Sequence, residues 1–201
     1  MRLGLLDEHH GCGGQAARRQ PDSRYRHLGD ERHVRLAKET CERNGLSSAE
    51  YTIHRGIAAA VAGVALFPKT EVGAWGHEPI IRPSWRERRR YLATGHYDEL
   101  PLVPLSRAAA DHARIDLLHV DIQGGEADLV DGALNFLGER VAYLVIGSHS
   151  REIEGRLFAT LLRAGWKLEV ERPAILSRES ERPIVLVDGV QGWRNPKLSP
   201  G

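Results

Sequence analysis

The chain lacks most of the features that mark secreted, membrane-spanning or nucleic-acid-binding proteins. Cys12 and Cys41 are the only cysteines among 201 residues. Two cysteines do not make a disulfide scaffold, so a reducing cytoplasm is the expected compartment. No apolar run approaches the roughly 18 residues of a membrane span, and residues 1–20 lack the apolar core of a signal peptide. An excess of one charge is also missing: 28 Lys and Arg stand against 27 Asp and Glu, a formal net charge of +1. That balance gives no overall pull toward nucleic acid or an anionic membrane. There is no internal repeat and no long low-complexity tract. A Gly-x-Gly-x-x-Gly motif after a solid first strand is absent too, which argues against a nicotinamide dehydrogenase. What is left is one globular domain over residues 1–201, 41% hydrophobic and 27% charged, long enough to bury a sizeable core.

The most informative segment is Ile115–Glu126, IDLLHVDIQGGE. An apolar run ends in an acid, and a Gly-Gly-Glu turn opens a helix. That pattern is how a buried parallel strand delivers a carboxylate to the rim of an α/β sheet, where ligands of open sheets bind. The spacing predicts a strand over Ile115–Asp121 and a helix over Glu126–Leu137, with Val130, Ala133, Leu134 and Leu137 on one face. Val141–Ile146 (VAYLVI) reads as a second strand buried on both faces. Ser150 fits an N-cap, Ile153, Leu157, Leu161 and Ala164 recur at helical spacing, and Gly165 stops that helix. Trp166–Val170 and Pro183–Val187 read as further strands, joined by an antiparallel excursion at the sheet edge. Residues 192–201 read as an irregular tail.

The first half carries weaker signals. Leu3–Leu6 is a very short strand, and Glu31–Asn44 is helical, with Val34, Ala37 and Cys41 in register. Tyr51–His54 and Val64–Phe67 are short strands. Residues 68–101 contain four prolines and two tryptophans and show no sustained period. They are expected to form a long lid-like loop, with a short helix at Trp85–Ala93. The alternation of elements predicts an α/β fold of the doubly wound kind.

IDLLHVDIQGGEADLVDGA and the later AYLVIGSHS together resemble the FkbM family of S-adenosylmethionine-dependent methyltransferases. The family pattern is an apolar strand, then Lys-Ile-Asp-Val-Glu-Gly-x-Glu, a helix, and an apolar strand ending Glu-x-His. Asp121 stands at the strand-end aspartate, Gly124 and Glu126 at the following Gly-x-Glu, and His149 at the histidine. Gly29–Leu46 and His54–Phe67 are similar to the family's second strand end, its helix and the hairpin-like strand after that. His119, Gln123 and Gly147 replace the usual lysine, first glutamate and later glutamate. The opening glycine motif, Asp7–Gly14, is blurred, as in a divergent loop or a chain lacking its true N-terminus. The resemblance implies a Rossmann-like methyltransferase sandwich, with a mostly parallel sheet and an antiparallel strand near the C-terminus.

It also implies S-adenosylmethionine as cofactor and methyl transfer to a hydroxyl, on a glycan or small metabolite. Gly11, Gly13 and Gly14 would let backbone approach the cofactor. Asp30 lies 19 positions after Gly11, close to the roughly 20 expected between a glycine turn and a ribose-binding acid. Asp30 or Glu31 would take the ribose hydroxyls, and the same acids suit a helix start. Asp121 would orient or deprotonate the acceptor hydroxyl, or hold a cation; the same position suits an N-cap. His149 would take the hydroxyl proton, with Gln123 and Glu126 contacting the acceptor. His9, His10 and Cys12 lack the second cluster of a zinc site, so no metal is expected. Arg86–Arg90 either draws an anionic acceptor or forms a solvated helix face. Trp75 and Trp85 line an acceptor pocket or pin the loop. The expected partners exclude nucleic acid and membrane, and the C-terminal strands could support a homodimer. The rival reading is a catalytically inactive, methyltransferase-like binding or partner protein, which the blurred glycine motif and Gly147 favour.

Overall fold

The computed structural model describes residues 2–3, 24–28, 31–69, 79–177 and 183–199. The chain begins with β1 (Arg2–Leu3), β2 (Arg24–Leu28), α1 (Glu31–Arg43) and β3 (Tyr51–Arg55). A middle section follows: β4 (Ile57–Ala59), β5 (Gly63–Pro68), β6 (Ile80–Ile81), α2 (Trp85–Ala93), β7 (Tyr97–Pro104) and α3 (Leu105–Ala108). Next come β8 (Ile115–Val120), α4 (Glu126–Arg140), β9 (Val141–Ser148), α5 (Arg151–Arg163) and β10 (Lys167–Arg172). The described chain ends with β11 (Ile175–Ser177), β12 (Ile184–Val187) and β13 (Gly189–Arg194).

Among the described residues the main sheet has seven strands in the order β10-β13-β9-β8-β1-β2-β3. β9, β8, β1, β2 and β3 pair in parallel, while β13 runs antiparallel between β9 and β10. The sheet is therefore mixed: mostly parallel, with its antiparallel strand near the C-terminus. The chain steps outward from β1 through β2 to β3, then returns to place β8 on the other side of β1. Strand order thus reverses between β1 and β8, and such switch points are where open α/β sheets form their ligand crevice.

The core is built where the apolar signals were strongest. Ile115, Leu118 and Val120 of β8, Val141, Leu144 and Ile146 of β9, and Val130 and Leu137 of α4 are buried in one cluster with Leu157 and Leu161 of α5. α5 starts as the sequence predicts: the Ile153 N–H donates to the Ser150 hydroxyl at 3.1 Å. It ends at Gly165, whose φ of +83° suits a glycine.

Two sequence expectations need correction. The segment 68–101 is not one long loop. Residues 70–78, including Trp75, lie outside the described residues, but β6, α2 and β7 follow them. β7 pairs with β4 and β5 in a separate four-stranded sheet and buries Leu100 and Leu102 on one face. Pro101 and Pro104 disguise it, because a proline normally demotes a strand. The helix at Trp85–Ala93 forms as expected, closed by a Ser84–Glu87 capping box.

The tail from Gly192 is not wholly irregular, because Gly192–Arg194 completes β13, which lies inside the main sheet. GVQGWR lacks the β-branched run of a typical strand. Its glycines answer to crowding: a Cβ on Gly192 would meet Tyr143 Oη at 2.9 Å and Val170 Cβ at 3.0 Å. The strand expected at Pro183–Val187 forms over Ile184–Val187. It pairs antiparallel with β11 as a two-stranded ribbon.

Candidate active site

β8 ends at Val120, and Asp121 follows at its carboxyl end. The chain then turns through Gln123 (φ +57°) and Gly124 (φ +105°) into α4. The turn is held by Glu126. The Ile122 N–H donates to Glu126 Oε1 at 3.0 Å, and the Gly124 N–H reaches both carboxylate oxygens at 3.1 Å. Glu126 is completely buried. A buried carboxylate must be paired or hydrogen-bonded, and this one accepts from two backbone amides and a histidine.

That histidine is His149, just past the end of β9 and fixed by the helix cap at Ser150. Its Nδ1 lies 2.9 Å from Glu126 Oε1. A carboxylate only accepts, so Nδ1 carries the proton of this bond. Nε2 lies 3.2 Å from Asp121 Oδ1 and 3.8 Å from Asp188 Oδ2. The contact with Asp121 is a close ion pair whose geometry falls short of an aligned hydrogen bond. The Asp121 side chain keeps 35% of its surface exposed, against 15% for His149. The open end of the cluster is therefore the aspartate.

The charges around His149 favour its protonated form. The contacts with Asp121 and Glu126 outweigh partial burial and push the His149 pKa up to about 10. His149 in turn holds the Asp121 carboxyl below its ordinary value, against the opposing effect of burial. At neutral pH His149 is thus an imidazolium between two carboxylates. A histidine in that state does not take a proton from a hydroxyl.

Glu126 also departs from the expected acceptor contact. Fully enclosed, it positions His149 and the turn. Gln123 stays at the rim, with its Nε2 3.5 Å from Asp121 Oδ1. Gly147 makes room for the aspartate: a Cβ there would sit 3.3 Å from Asp121 Cγ. The structure therefore brings Asp121, Gln123, Glu126 and His149 together. Glu31 is the exposed first residue of α1. Gly11, Gly13, Gly14 and Asp30 lie outside the described residues, as do His9, His10 and Cys12. In α2, Trp85 is 70% exposed, Arg89 lies over its ring, and Arg88 pairs with Glu99.

Sequence reasoning missed Asp188. It stands between β12 and β13, and Asp188-Gly189 reads locally as no more than a turn. Its place comes from the register of β13, where Gly189 is paired with Ser148, so the preceding residue falls beside His149.

No family model matches the chain. A protein of Jannaschia sp. (strain CCS1), provisionally named a methyltransferase, is 40% identical over 173 residues, which are 85% of this chain and 61% of the relative. The chain thus spans about three-fifths of the length of that relative. Among solved structures, the methyltransferase FkbM of Methylobacillus flagellatus aligns with a TM-score of 0.49 at 12% identity, over 85% of this chain and 36% of that one. A Pyrococcus horikoshii protein provisionally assigned as an RNA methyltransferase aligns with a TM-score of 0.42 at 6% identity, over 86% and 63%.

Proposed function

We propose that this chain is the catalytic domain of an S-adenosylmethionine-dependent methyltransferase of the FkbM kind, acting on a hydroxyl of a glycan or small metabolite. One observation carries the reading: Asp121 and His149 project from the carboxyl ends of adjacent parallel strands, next to the point where strand order reverses. The 40% identical methyltransferase-named relative supports the same class. The topology suits the cofactor. The chain leaves β1 at the switch point, and α1 follows β2 at the same edge of the sheet. When bound, the cofactor supplies a sulfonium-activated methyl group.

The chain's own task is then mainly alignment of the acceptor oxygen, where proximity and orientation supply much of the catalysis. Asp121, the exposed acid of the cluster, accepts a hydrogen bond from the acceptor hydroxyl and takes its proton as the new bond forms. His149 fixes Asp121 by charge, and Glu126 fixes His149. The near-zero net charge supports a small acceptor over a nucleic acid.

The protonated state of His149 also gives specific support to the inactive-partner reading, because Asp121, His149 and Glu126 already satisfy one another's charges. Isothermal titration with S-adenosylmethionine and S-adenosylhomocysteine, with NAD as control, separates the two. Micromolar binding of the sulfur compounds alone is expected. A folded sample that binds neither would sink the methyltransferase proposal in favour of the partner reading.

A further inference from the structure

We propose that Asp121, His149 Nε2 and Asp188 form a binding site for one divalent cation, with Glu126 as the buried group that aims the histidine at it. The three donors come from three separate points of the chain: the end of β8, the end of β9 and the entry to β13. The two aspartates converge on the same histidine nitrogen, at 3.2 and 3.8 Å. Ligand atoms about 2.0–2.2 Å from one ion stand roughly 3–3.5 Å from one another in octahedral or tetrahedral geometry. The first spacing lies within that range; Asp121, Glu126 and His149 present ligand atoms within 4.8 Å of one another, and the 57% exposed Asp188 must swing inward to join them.

The histidine supplies the second observation. Its Nε2 is buried, makes no aligned hydrogen bond, and faces both carboxylates; a cation bound there takes the place of the Nε2 proton. The opposite nitrogen is tied to Glu126. A ring N–H bonded to a carboxylate is the arrangement that commonly orients metal-bound histidines. Glu126 lies beneath the site, where its oxygens accept backbone N–H groups and face the histidine Nδ1. Gly189 secures Asp188. A Cβ at 189 would fall 2.1 Å from Glu154 Oε1 and 2.3 Å from Ser148 Oγ, so only glycine lets β13 enter at this register.

One imidazole nitrogen and two carboxylate oxygens suit Mn²⁺ or Zn²⁺ and leave coordination positions open for an acceptor oxygen. The proposal does not depend on the methyl-transfer reading, because cation binding is measured without cofactor or acceptor.

The test is titration of the metal-stripped protein with Mn²⁺, followed by electron paramagnetic resonance, with Zn²⁺ as competitor. One Mn²⁺ per chain is expected, displaced by Zn²⁺, and bound at least ten-fold more weakly by both Asp188→Asn and Asp121→Asn. The Asp188 side chain is 57% exposed, so its variant should keep the wild-type thermal melt and report on the site alone. Absence of binding of either ion by folded protein overturns the proposal. So does unchanged affinity in either variant.

Discussion

His149 Nδ1 and Glu126 Oε1 lie 2.9 Å apart, and the glutamate has no exposed surface. This pair joins the helix that follows β8 to the end of β9. With Asp121 it holds the imidazole protonated, at a pKa of about 10. Glu126→Gln keeps the size and an acceptor oxygen but removes one negative charge. The His149 titration, followed by nuclear magnetic resonance on cation-free protein, should then move down toward the ordinary 6.5. An unmoved titration would show that Glu126 does not set the charge state.

The same shifts give stability a pH dependence. A histidine whose folded pKa is raised stabilises the fold fully below its unfolded value, near 6.5, and loses that contribution as pH climbs toward about 10. Asp121, held low, stabilises above its unfolded value and loses the contribution as pH falls below it. Urea unfolding of the cation-free protein should therefore show stability falling between about pH 6.5 and 10. His149→Gln should flatten that fall, and parallel profiles for the two proteins would contradict the assignment.

Gly147 stands where the family pattern has glutamate, and its missing side chain leaves space that the Asp121 carboxyl borders at 3.3 Å from a would-be Cβ. Gly147→Glu should push Asp121 off His149 and add a like charge beside it. Overpacking of this kind costs about 1–3 kcal/mol. On the proposed function, a larger loss is expected in methyl transfer than in thermal stability, measured on the same preparation. Full activity would separate Asp121 from the reaction.

Gly189 is a packing requirement. A Cβ there meets Glu154 Oε1, Ser148 Oγ and the Ala174 nitrogen at 2.1, 2.3 and 2.9 Å. These atoms belong to a buried network: the Ser148 hydroxyl and the Ala174 N–H both donate to Glu154 Oε1. Gly189→Ala should cost about 3 kcal/mol or more, read from the midpoint of urea unfolding. A midpoint equal to wild type would mean that the β9–β13 pairing adjusts freely.

Trp193 is fully buried, packs edge-on against Phe158 at 5.5 Å between ring centroids, and donates to Gln191 Oε1 at 3.0 Å. Trp193→Ala should destabilise by about 3–5 kcal/mol. Trp85→Ala, at a 70% exposed ring, should stay within about 0.5 kcal/mol. Comparable losses in the two variants would argue against β13 as part of the core.

Local pattern determined much of this protein. The continuous apolar runs of β8 and β9, the 3.6-residue spacing in α4 and α5, the Ser150 cap and the Gly165 stop are each written in a few consecutive residues, because helix and buried-strand formation depend on near neighbours. The acid at the end of β8 and the histidine after β9 were likewise visible as candidates. Only the tertiary structure decided their roles. Sequence order does not show that Glu126 points inward, that two carboxylates fall on one imidazole and keep it charged, or that Asp188 joins them. The same holds for β13 and β7, whose glycines and prolines read as loop. Their strand pairing is set by neighbours distant in the chain, and for β13 the glycines are required by how closely those neighbours approach.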